Sequence, residues 1–168
     1  MAEVYLELGS NIMPEVNIDA AMGHIQEVVQ LEKISTVYRT EPIGKYTGYF
    51  YNCVVGCHTE LNPLSLKKVV IPSIETKMGR SPYRNKSDDR TIDIDMLIYD
   101  DLVSEELVIP HNDIFNKPFV AVCLCEIAPN LRIFPSFKTA CDISSKMNKA
   151  GMIALIEYTN KLKAKYLS

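Results

Sequence analysis

The chain has 168 residues, of which 47% are hydrophobic and 23% are charged, and its formal net charge at pH 7 is −3. A negative net charge disfavours broad electrostatic binding to nucleic acid or to an anionic membrane, and no apolar run approaches the roughly 20 residues of a membrane span. We therefore expect one soluble domain over residues 1–168 that binds neither nucleic acid nor membrane.

The cysteines carry no metal-site or redox spacing. They are Cys53, Cys57, Cys123, Cys125 and Cys141. No CxxC pair occurs, and several of the five lie in apolar runs, where a free cysteine packs as a small hydrophobic side chain. No Lys or Arg precedes Lys33, so no signal peptide is expected. These patterns predict reduced core thiols in a cytoplasmic protein.

Strand and helix patterns alternate in the first part of the chain. The stretch VYLELGSN at 4–11 alternates with period two, which predicts a strand. An apolar stripe predicts a helix from about Pro14 to Val29. Residues 31–40 and 50–60 indicate two further strands, and the linker between them is too long for a tight hairpin.

A second helix is predicted to begin at Asn62–Pro63, which form a good cap and first turn. It runs towards Met78 and ends at Gly79. Pro72 lies inside this span, so we expect a kink or a split there. The strand TIDIDMLIY follows at 91–99.

The last predicted elements are helices. One begins at Asn116–Pro118 and ends before Pro129, and a final one covers about 152–165. The order strand–helix–strand–strand–helix–strand predicts an α+β fold with helices on an antiparallel sheet. A doubly wound parallel sheet is disfavoured, because two of the strands follow each other without a helical crossover.

The strand at 91–99 carries two acidic residues on one face. Alternation assigns Ile92, Ile94, Met96 and Ile98 to one face and Thr91, Asp93, Asp95, Leu97 and Tyr99 to the other. Two carboxylates about 7 Å apart repel by about 2 kcal/mol at an effective dielectric of 20. The pair Asp93 and Asp95 therefore needs compensation.

Three kinds of compensation are open. Asp93 and Asp95 could pair with Arg90 or another basic side chain, or one of them could have a raised pKa. A divalent metal is the third, and carboxylates with phosphate are the ligands of Mg²⁺. Arg80, Arg84 and Lys86 also precede the strand, so a basic segment could clamp a nucleotide polyphosphate. A solvated charged loop is the alternative.

Seven stretches of the chain match the pattern of a known family. They are LGSN at 8–11, YRTEPIG at 38–44, FYN at 50–52, IETKMGR at 74–80, DRTIDIDMLIY at 89–99, IPH at 109–111 and FVAVCLCEIAP at 119–129. The chain resembles the 6-hydroxymethyl-7,8-dihydropterin pyrophosphokinase family of folate biosynthesis. The resemblance implies a ferredoxin-like α/β sandwich with an antiparallel sheet flanked by helices. It also implies transfer of pyrophosphate from ATP to the pterin hydroxymethyl group, with release of AMP.

The resemblance assigns roles to individual residues. Its catalytic set is Arg80, Arg90, Asp93 and Asp95, of which the two aspartates would bind Mg²⁺, as two ions. Its ATP-binding set is Glu75, Arg80, Arg84, Lys86, Arg90, His111 and Lys117. Its pterin-binding set is Thr40, Pro42, Ile43, Gly44, Phe50, Asn52 and Phe119, with the two phenylalanines sandwiching the ring. Without the family, the phenylalanines are core residues, His111 is a turn residue and Glu75 lies on a helix surface.

The chain departs from the family mainly within 81–89. Ser87 stands where an aromatic residue is expected, and Pro82 and Tyr83 stand where basic residues often occur. Phe50 replaces a common Tyr, and Lys117 replaces a common Arg, which loses bidentate phosphate geometry. The departures leave open a degenerate nucleotide- or pterin-binding module with little or no turnover. An unrelated DxD transferase of nucleotide sugars would need a larger nucleotide-binding domain. We expect a monomer or a weak homodimer.

Overall fold

A computed structural model describes residues 1–42, 48–80 and 89–168. Its strands are β1 (Ala2–Ser10), β2 (Gln30–Ile34), β3 (Tyr38–Thr40), β4 (Phe50–Thr59), β5 (Asp93–Tyr99), β6 (Arg132–Ile133), β7 (Lys138–Thr139) and β8 (Ile153–Ala154). Its helices are α1 (Pro14–Gln26), α2 (Pro63–Ser65), α3 (Ile71–Lys77), α4 (Asp113–Asn116), α5 (Pro118–Ile127), α6 (Ala140–Ser144) and α7 (Ile156–Tyr166), with a π-helical segment at Leu66–Val70. Within these ranges no helix is both long and apolar enough to span a membrane.

The main sheet is antiparallel and has the strand order β5-β1-β4-β3-β8, with β2 also paired to β4. Helices cover both of its faces. On one face, Ile18 of α1 and Ile74 of α3 belong to a core with Leu8 of β1. On the other, Leu124 of α5 joins a core with Tyr5 of β1. The prediction of an antiparallel sheet flanked by helices is confirmed.

The predicted strand at 31–40 is two strands along one edge of β4. Ser35 lies at the break, where its N–H donates to the carbonyl of Val54 and its Oγ accepts from the N–H of Val54, both at 2.9 Å. Ile34 pairs with Val55 and Tyr38 with Asn52, so one extra residue lies between β2 and β3. The Ser35 hydroxyl oxygen takes the place of a backbone acceptor for the N–H of Val54. The period-two pattern of apolar residues cannot predict such a break.

A bulge interrupts the alternation of β5. The pairing with β1 steps from Met96 to Ile98 and passes over Leu97. Ile98 consequently joins Leu97 in the core under α5, whereas Tyr99 packs against the opposite core. The predicted faces are right up to Leu97 and wrong for Ile98 and Tyr99, because a bulge reverses every position after it.

The predicted helix after Asn62 is split, as expected. Asn62 caps it by accepting from the N–H of Ser65 at 2.8 Å. The π-helical segment Leu66–Val70 lies just before Pro72, which cannot donate an N–H to a regular helical turn. Gly79 ends the span with a φ of 85°.

Other predicted boundaries shift by a few residues. Helix α1 ends three residues before Val29. The predicted start at Asn116–Pro118 lies where the short helix α4 ends and α5 begins. The predicted helix at 152–165 consists of strand β8 followed by α7. The hairpin β6–β7 and helix α6, which begins with a capping box from Thr139, were not predicted.

The expectation of five reduced thiols is wrong for one pair. Cys125 of α5 and Cys141 of α6 form a disulfide, because the packing of the two helices brings their Cα atoms to 4.7 Å. Cys53, Cys57 and Cys123 are free and buried. The separation of 16 positions between the paired cysteines gives no spacing signal.

Candidate active site

Two rows of residues cross the sheet on the face that α5 covers. In the first, Gly9 of β1 lies between Asp93 of β5 and Asn52 of β4. In the next, Glu7 of β1 lies beside Asp95 of β5. Directly paired residues share a face of a sheet, so three acidic side chains and one amide are collected over β1. A Cβ atom added at Gly9 would lie 3.0 Å from Asn52 Oδ1, so the glycine keeps space open between the strands.

Asp93 is compensated by two arginines. Its Oδ1 accepts from Arg80 Nη1 and its Oδ2 from Arg90 Nη1, each at 2.7 Å. Arg80 Nη1 also donates to Glu75 Oε2. The first of the three compensations, pairing with basic side chains, therefore applies to Asp93. Both predicted phosphate-binding arginines lie at the start of β5.

Asp95 is compensated differently. Burial raises its pKa from 3.8 to about 6, the charge of Asp93 adds to the rise, and His111 opposes it. The second compensation, a raised pKa, therefore applies to this member of the pair. Asp93 is paired with two arginines, whereas Asp95, when ionised, carries negative charge that its surroundings do not neutralise.

His111 joins Asp95 to a second acidic residue, Asp113. One ligand atom from each of these three residues lies within 4.8 Å of the other two. His111 Nδ1 accepts from the backbone N–H of Asp113 at 3.1 Å, so Nε2 carries the proton of the neutral ring and faces Asp95 Oδ1 at 3.9 Å. Lys117 Nζ contacts Asp113 Oδ2 at 3.0 Å. Sequence reasoning missed Asp113, although it lies two residues after the IPH motif.

Asn11 anchors the residue that enters the acidic strand. Its Oδ1 accepts from the backbone N–H of Arg90 at 2.7 Å, and its own N–H donates to the carbonyl of Arg90 at 3.2 Å. Its Nδ2 donates to Asp89 Oδ1 at 2.7 Å. The LGSN stretch thus positions Arg90, a role that sequence reasoning did not assign to Asn11.

Glu75 points inward from α3. Its side chain is 13% exposed, and its Oε2 accepts from the N–H of Ile94 at 3.3 Å as well as from Arg80. Burial raises its pKa to about 7, although Arg80 opposes the rise. The alternative of a helix-surface glutamate is therefore wrong, and the predicted contact with nucleotide stays a prediction.

Glu7 is the most deeply buried of these carboxyl groups, with 5% of its surface exposed. Burial raises its pKa well above the ordinary range, Asp95 adds to the rise, and Lys117 opposes it. Within the described ranges, its Oε2 atom has no hydrogen-bond partner. Sequence reasoning missed Glu7, although period-two alternation in VYLELGSN already sets this acidic residue among apolar neighbours.

A cleft of about 280 Å³ opens above the first row. Its lining residues are Glu7, Gly9, Thr40, Glu41, Phe50, Asn52, Arg90, Asp93, Lys117 and Phe119. Four of the predicted pterin-binding residues are among them. Asn52 Nδ2 donates to Thr40 Oγ1 at 2.7 Å, and Phe50 and Phe119 are half-buried at the cleft. Pro42 is also half-buried but is not part of the lining.

Some predicted site residues cannot be placed. Ile43 and Gly44, predicted to contact pterin, lie outside the described residues. Arg84 and Lys86, predicted to contact ATP, also lie outside them, as do the family departures within 81–88.

Several solved structures with a similar fold are longer chains. The crystal structure of Plasmodium falciparum HPPK-DHPS wild type with SDX-DHP has a TM-score of 0.67 and 17% sequence identity to this chain. The match covers 99% of this chain and 45% of that one, so this chain spans less than half of that protein. At 17% sequence identity, this similarity supports a shared fold and nothing further.

This chain matches its sequence relatives over most of their length. A 2-amino-4-hydroxy-6-hydroxymethyldihydropteridine pyrophosphokinase of Aquifex aeolicus is 38% identical over 142 residues, which cover 82% of this chain and 87% of that protein. One from Haemophilus influenzae is 34% identical over 161 residues, which cover 92% and 99%. The family model described as 7,8-dihydro-6-hydroxymethylpterin-pyrophosphokinase (HPPK) matches residues 5–129. The chain belongs to this pyrophosphokinase family.

Proposed function

We propose that this chain transfers the terminal pyrophosphoryl group of ATP to the hydroxymethyl oxygen of 6-hydroxymethyl-7,8-dihydropterin, with release of AMP. The observation that carries the proposal is a single cleft that Asp93, paired with Arg90, lines together with Asn52 and two half-buried phenylalanines, Phe50 and Phe119. The charged side suits a polyphosphate, and the aromatic side suits a flat heterocycle.

Arg80 and Arg90 are the proposed phosphate-binding groups. Both contact Asp93 at 2.7 Å, and Arg90 is fixed through its backbone by Asn11, so neither guanidinium needs a large reorientation to reach an oxyanion beside the strand. Pre-positioned cations at a transferring phosphoryl group stabilise the charge of the transition state. His111 and Lys117 are proposed to contact nucleotide phosphate from the α5 side, and Glu75 to hold Arg80 in place.

Asp93 and Asp95 are proposed to hold Mg²⁺, as two ions. The donor set fits a hard dication, because both groups are carboxylates and the raised pKa of Asp95 marks negative charge that its surroundings do not neutralise. When bound, Mg²⁺ neutralises phosphate charge and lowers the pKa of an attacking hydroxyl group.

The pterin is proposed to lie between Phe50 and Phe119. Stacking of aromatic faces contributes about 0.5–1.5 kcal/mol per contact beyond the buried area. Asn52 donates one hydrogen of its Nδ2 to Thr40, and its Oδ1 and the second Nδ2 hydrogen are the groups proposed to meet the ring edge. The Pro42–Gly44 segment is proposed to complete this edge through backbone groups.

The strand order supports a ferredoxin-like arrangement, which we also propose. Counted along the chain, with β2 and β3 as one broken strand, the central strands run 4-1-3-2 from β5 to β3. We further propose that residues 1–168 form one domain, acting in the cytoplasm as a monomer or weak homodimer.

The test is an incubation with MgATP and the hydroxymethyl-dihydropterin, analysed by chromatography and ³¹P NMR. We expect AMP and a pterin diphosphate in equal amounts, and Asp95→Asn should be nearly inactive because it removes a metal ligand. Asp101→Asn, an exposed change just beyond the same strand, is the matched control and should retain full activity. ADP with a pterin monophosphate would refute the reaction. Tight binding of an ATP analogue with no AMP formed would favour the degenerate binding module, which family membership does not favour.

A further inference from the structure

Glu7 has no role in the proposed reaction, yet it lines the cleft. Its residue surface is 5% exposed, and its Oε2 has no hydrogen-bond partner within the described ranges. A buried polar atom without a partner destabilises a fold, because it has lost its hydrogen bonds to water. Such an atom in a cleft wall calls for a ligand that supplies the missing donor.

The register of the sheet shows where this carboxyl group can reach. Glu7 pairs with Val54 on one side and Asp95 on the other, and the adjacent row on the same face is formed by Gly9 and Asn52. Adjacent rows are about 7 Å apart along a strand. Because Gly9 has no side chain, nothing from β1 separates the carboxyl group of Glu7 from the space beside Asn52.

A purely structural role as the counter-ion of Lys117 explains less. Lys117 Nζ already contacts Asp113 Oδ2 at 3.0 Å, and it lies 5.8 Å from the ring centroid of Phe119. Glu7 attracts Lys117 through space but makes no ion pair with it within 4.0 Å in the described part of the chain. The counter-ion role therefore leaves Oε2 unsatisfied.

The polar groups at the cleft have a common chemistry. Asn52 donates one Nδ2 hydrogen to Thr40 and has an acceptor at Oδ1, and a carboxyl group at Glu7, ionised or neutral, also offers an acceptor. Two acceptors near two phenyl rings match a flat heteroaromatic ring that carries N–H donors at separate points of its edge. Phe50 and Phe119 supply those rings.

We propose that Glu7 is a specificity-determining residue that accepts a hydrogen bond from an N–H group on the edge of the heteroaromatic substrate ring, apart from the edge that contacts Asn52. The inference rests on the proposed function, because it assigns the ring to this cleft. Glu7 therefore lowers the stability of the free protein, because its buried Oε2 has no hydrogen-bond partner among the described residues, and raises the affinity for the substrate ring in the complex.

The test uses Glu7→Met, which keeps the length of the side chain without its polar atoms, and Glu7→Gln, which keeps its shape. Calorimetry measures the Kd of the hydroxymethyl-dihydropterin in the presence of a saturating non-hydrolysable ATP analogue and Mg²⁺, and the Kd of the analogue alone. We expect Glu7→Met to weaken pterin binding at least 10-fold, with analogue binding within twofold of wild type and the Tm of the free protein no lower than that of wild type. Glu7→Gln should weaken pterin binding less than Glu7→Met, because it retains one acceptor.

A ring analogue supplies the direct evidence for contact. Methylation of the contacted ring nitrogen should weaken binding to wild type and have less effect on Glu7→Met. The matched control is Glu3→Gln, the same change on the same strand and remote from the cleft, which should leave pterin affinity unchanged. A pterin Kd within twofold of wild type in Glu7→Met would overturn the proposal. So would a fall in Tm with equal loss of affinity for both ligands, the signature of a structural role.

The two proposals fail separately. If wild type forms AMP and pterin diphosphate while Glu7→Met binds pterin normally, the role of Glu7 is refuted and the reaction stands. If pterin binding depends on Glu7 but no AMP forms, the reaction is refuted and the role of Glu7 in binding stands.

Discussion

The two aspartates of β5 should respond in opposite directions to the same substitution. Asp95 has a pKa of about 6, raised mainly by burial from an ordinary 3.8. The difference of about 2 between these values corresponds to about 3 kcal/mol, and solvent around its 31% exposed side chain reduces this to about 2–3 kcal/mol. Asp95→Asn should therefore stabilise the metal-free protein at pH 7.5 by that amount, while abolishing pyrophosphoryl transfer.

The sign follows from linkage. A carboxyl group whose pKa is higher in the folded state binds protons more tightly there, so its ionisation opposes folding. The penalty is absent below the unfolded pKa of 3.8, grows as the pH rises, and is complete above about 6. The advantage of Asp95→Asn should accordingly shrink from about 2–3 kcal/mol at pH 7.5 to below about 1 kcal/mol near pH 4.

Asp93→Asn is the matched control. Asp93 accepts charge-assisted hydrogen bonds from Arg80 and Arg90, so its neutralisation should lower the free energy of unfolding by about 1–3 kcal/mol. Urea unfolding in EDTA, followed by circular dichroism at several pH values, measures both variants. An Asp95→Asn protein less stable than wild type at pH 7.5 would contradict the assignment of the unneutralised charge to Asp95.

Three other perturbations have defined outcomes. Cys125→Ser should lower the free energy of unfolding by about 3 kcal/mol, because the disulfide to Cys141 closes a loop of about 16 residues; an equal Tm with and without reductant in wild type would contradict this. Gly9→Ala should weaken pterin binding about tenfold by displacing Asn52 Oδ1, with analogue binding unchanged as its internal control. Arg80→Lys should lower kcat/KM about 10- to 100-fold, because Lys cannot keep the guanidinium geometry; an unchanged kcat/KM would remove Arg80 from the phosphate-binding set.

The sequence was sufficient to predict the acidic strand but not the roles of its two aspartates. Alternation places Asp93 and Asp95 on one face, and the spacing requires compensation of their charge. Which aspartate receives the arginines depends on where Arg80 leaves α3 and on how Asn11 holds Arg90. These contacts join parts of the chain that are distant in sequence. The sequence alone therefore could not decide which kind of charge compensation applies to Asp93 and which to Asp95.

Missed features have local or tertiary causes that can be identified. Glu7 could have been found from the sequence, because a charged residue amid the apolar residues of VYLELGSN is buried in any sheet with two covered faces. The disulfide could not, because its two cysteines meet only through the packing of α5 on α6. The break at Ser35 depends on a side chain that replaces backbone pairing, which has no period of its own.

The bulge at Leu97 explains how one sheet face holds both a core and an active site. The boundary between the site residues and the apolar core falls between Asp95 and Leu97 along β5. Along β1 it falls between Glu7 and Tyr5. Since Leu97 and Ile98 both turn to this face, the apolar half begins immediately after the second aspartate.

Helix α5 follows the same division. Lys117 and Phe119 at its start line the cleft, whereas Leu124 packs into the apolar core. The apolar half anchors α5, and the start of the anchored helix lines the same cleft as Glu7. Weakening that core should therefore reach the site through the start of α5 before it unfolds the sheet, because the antiparallel pairing of β1 with β4 and β5 does not depend on that helix.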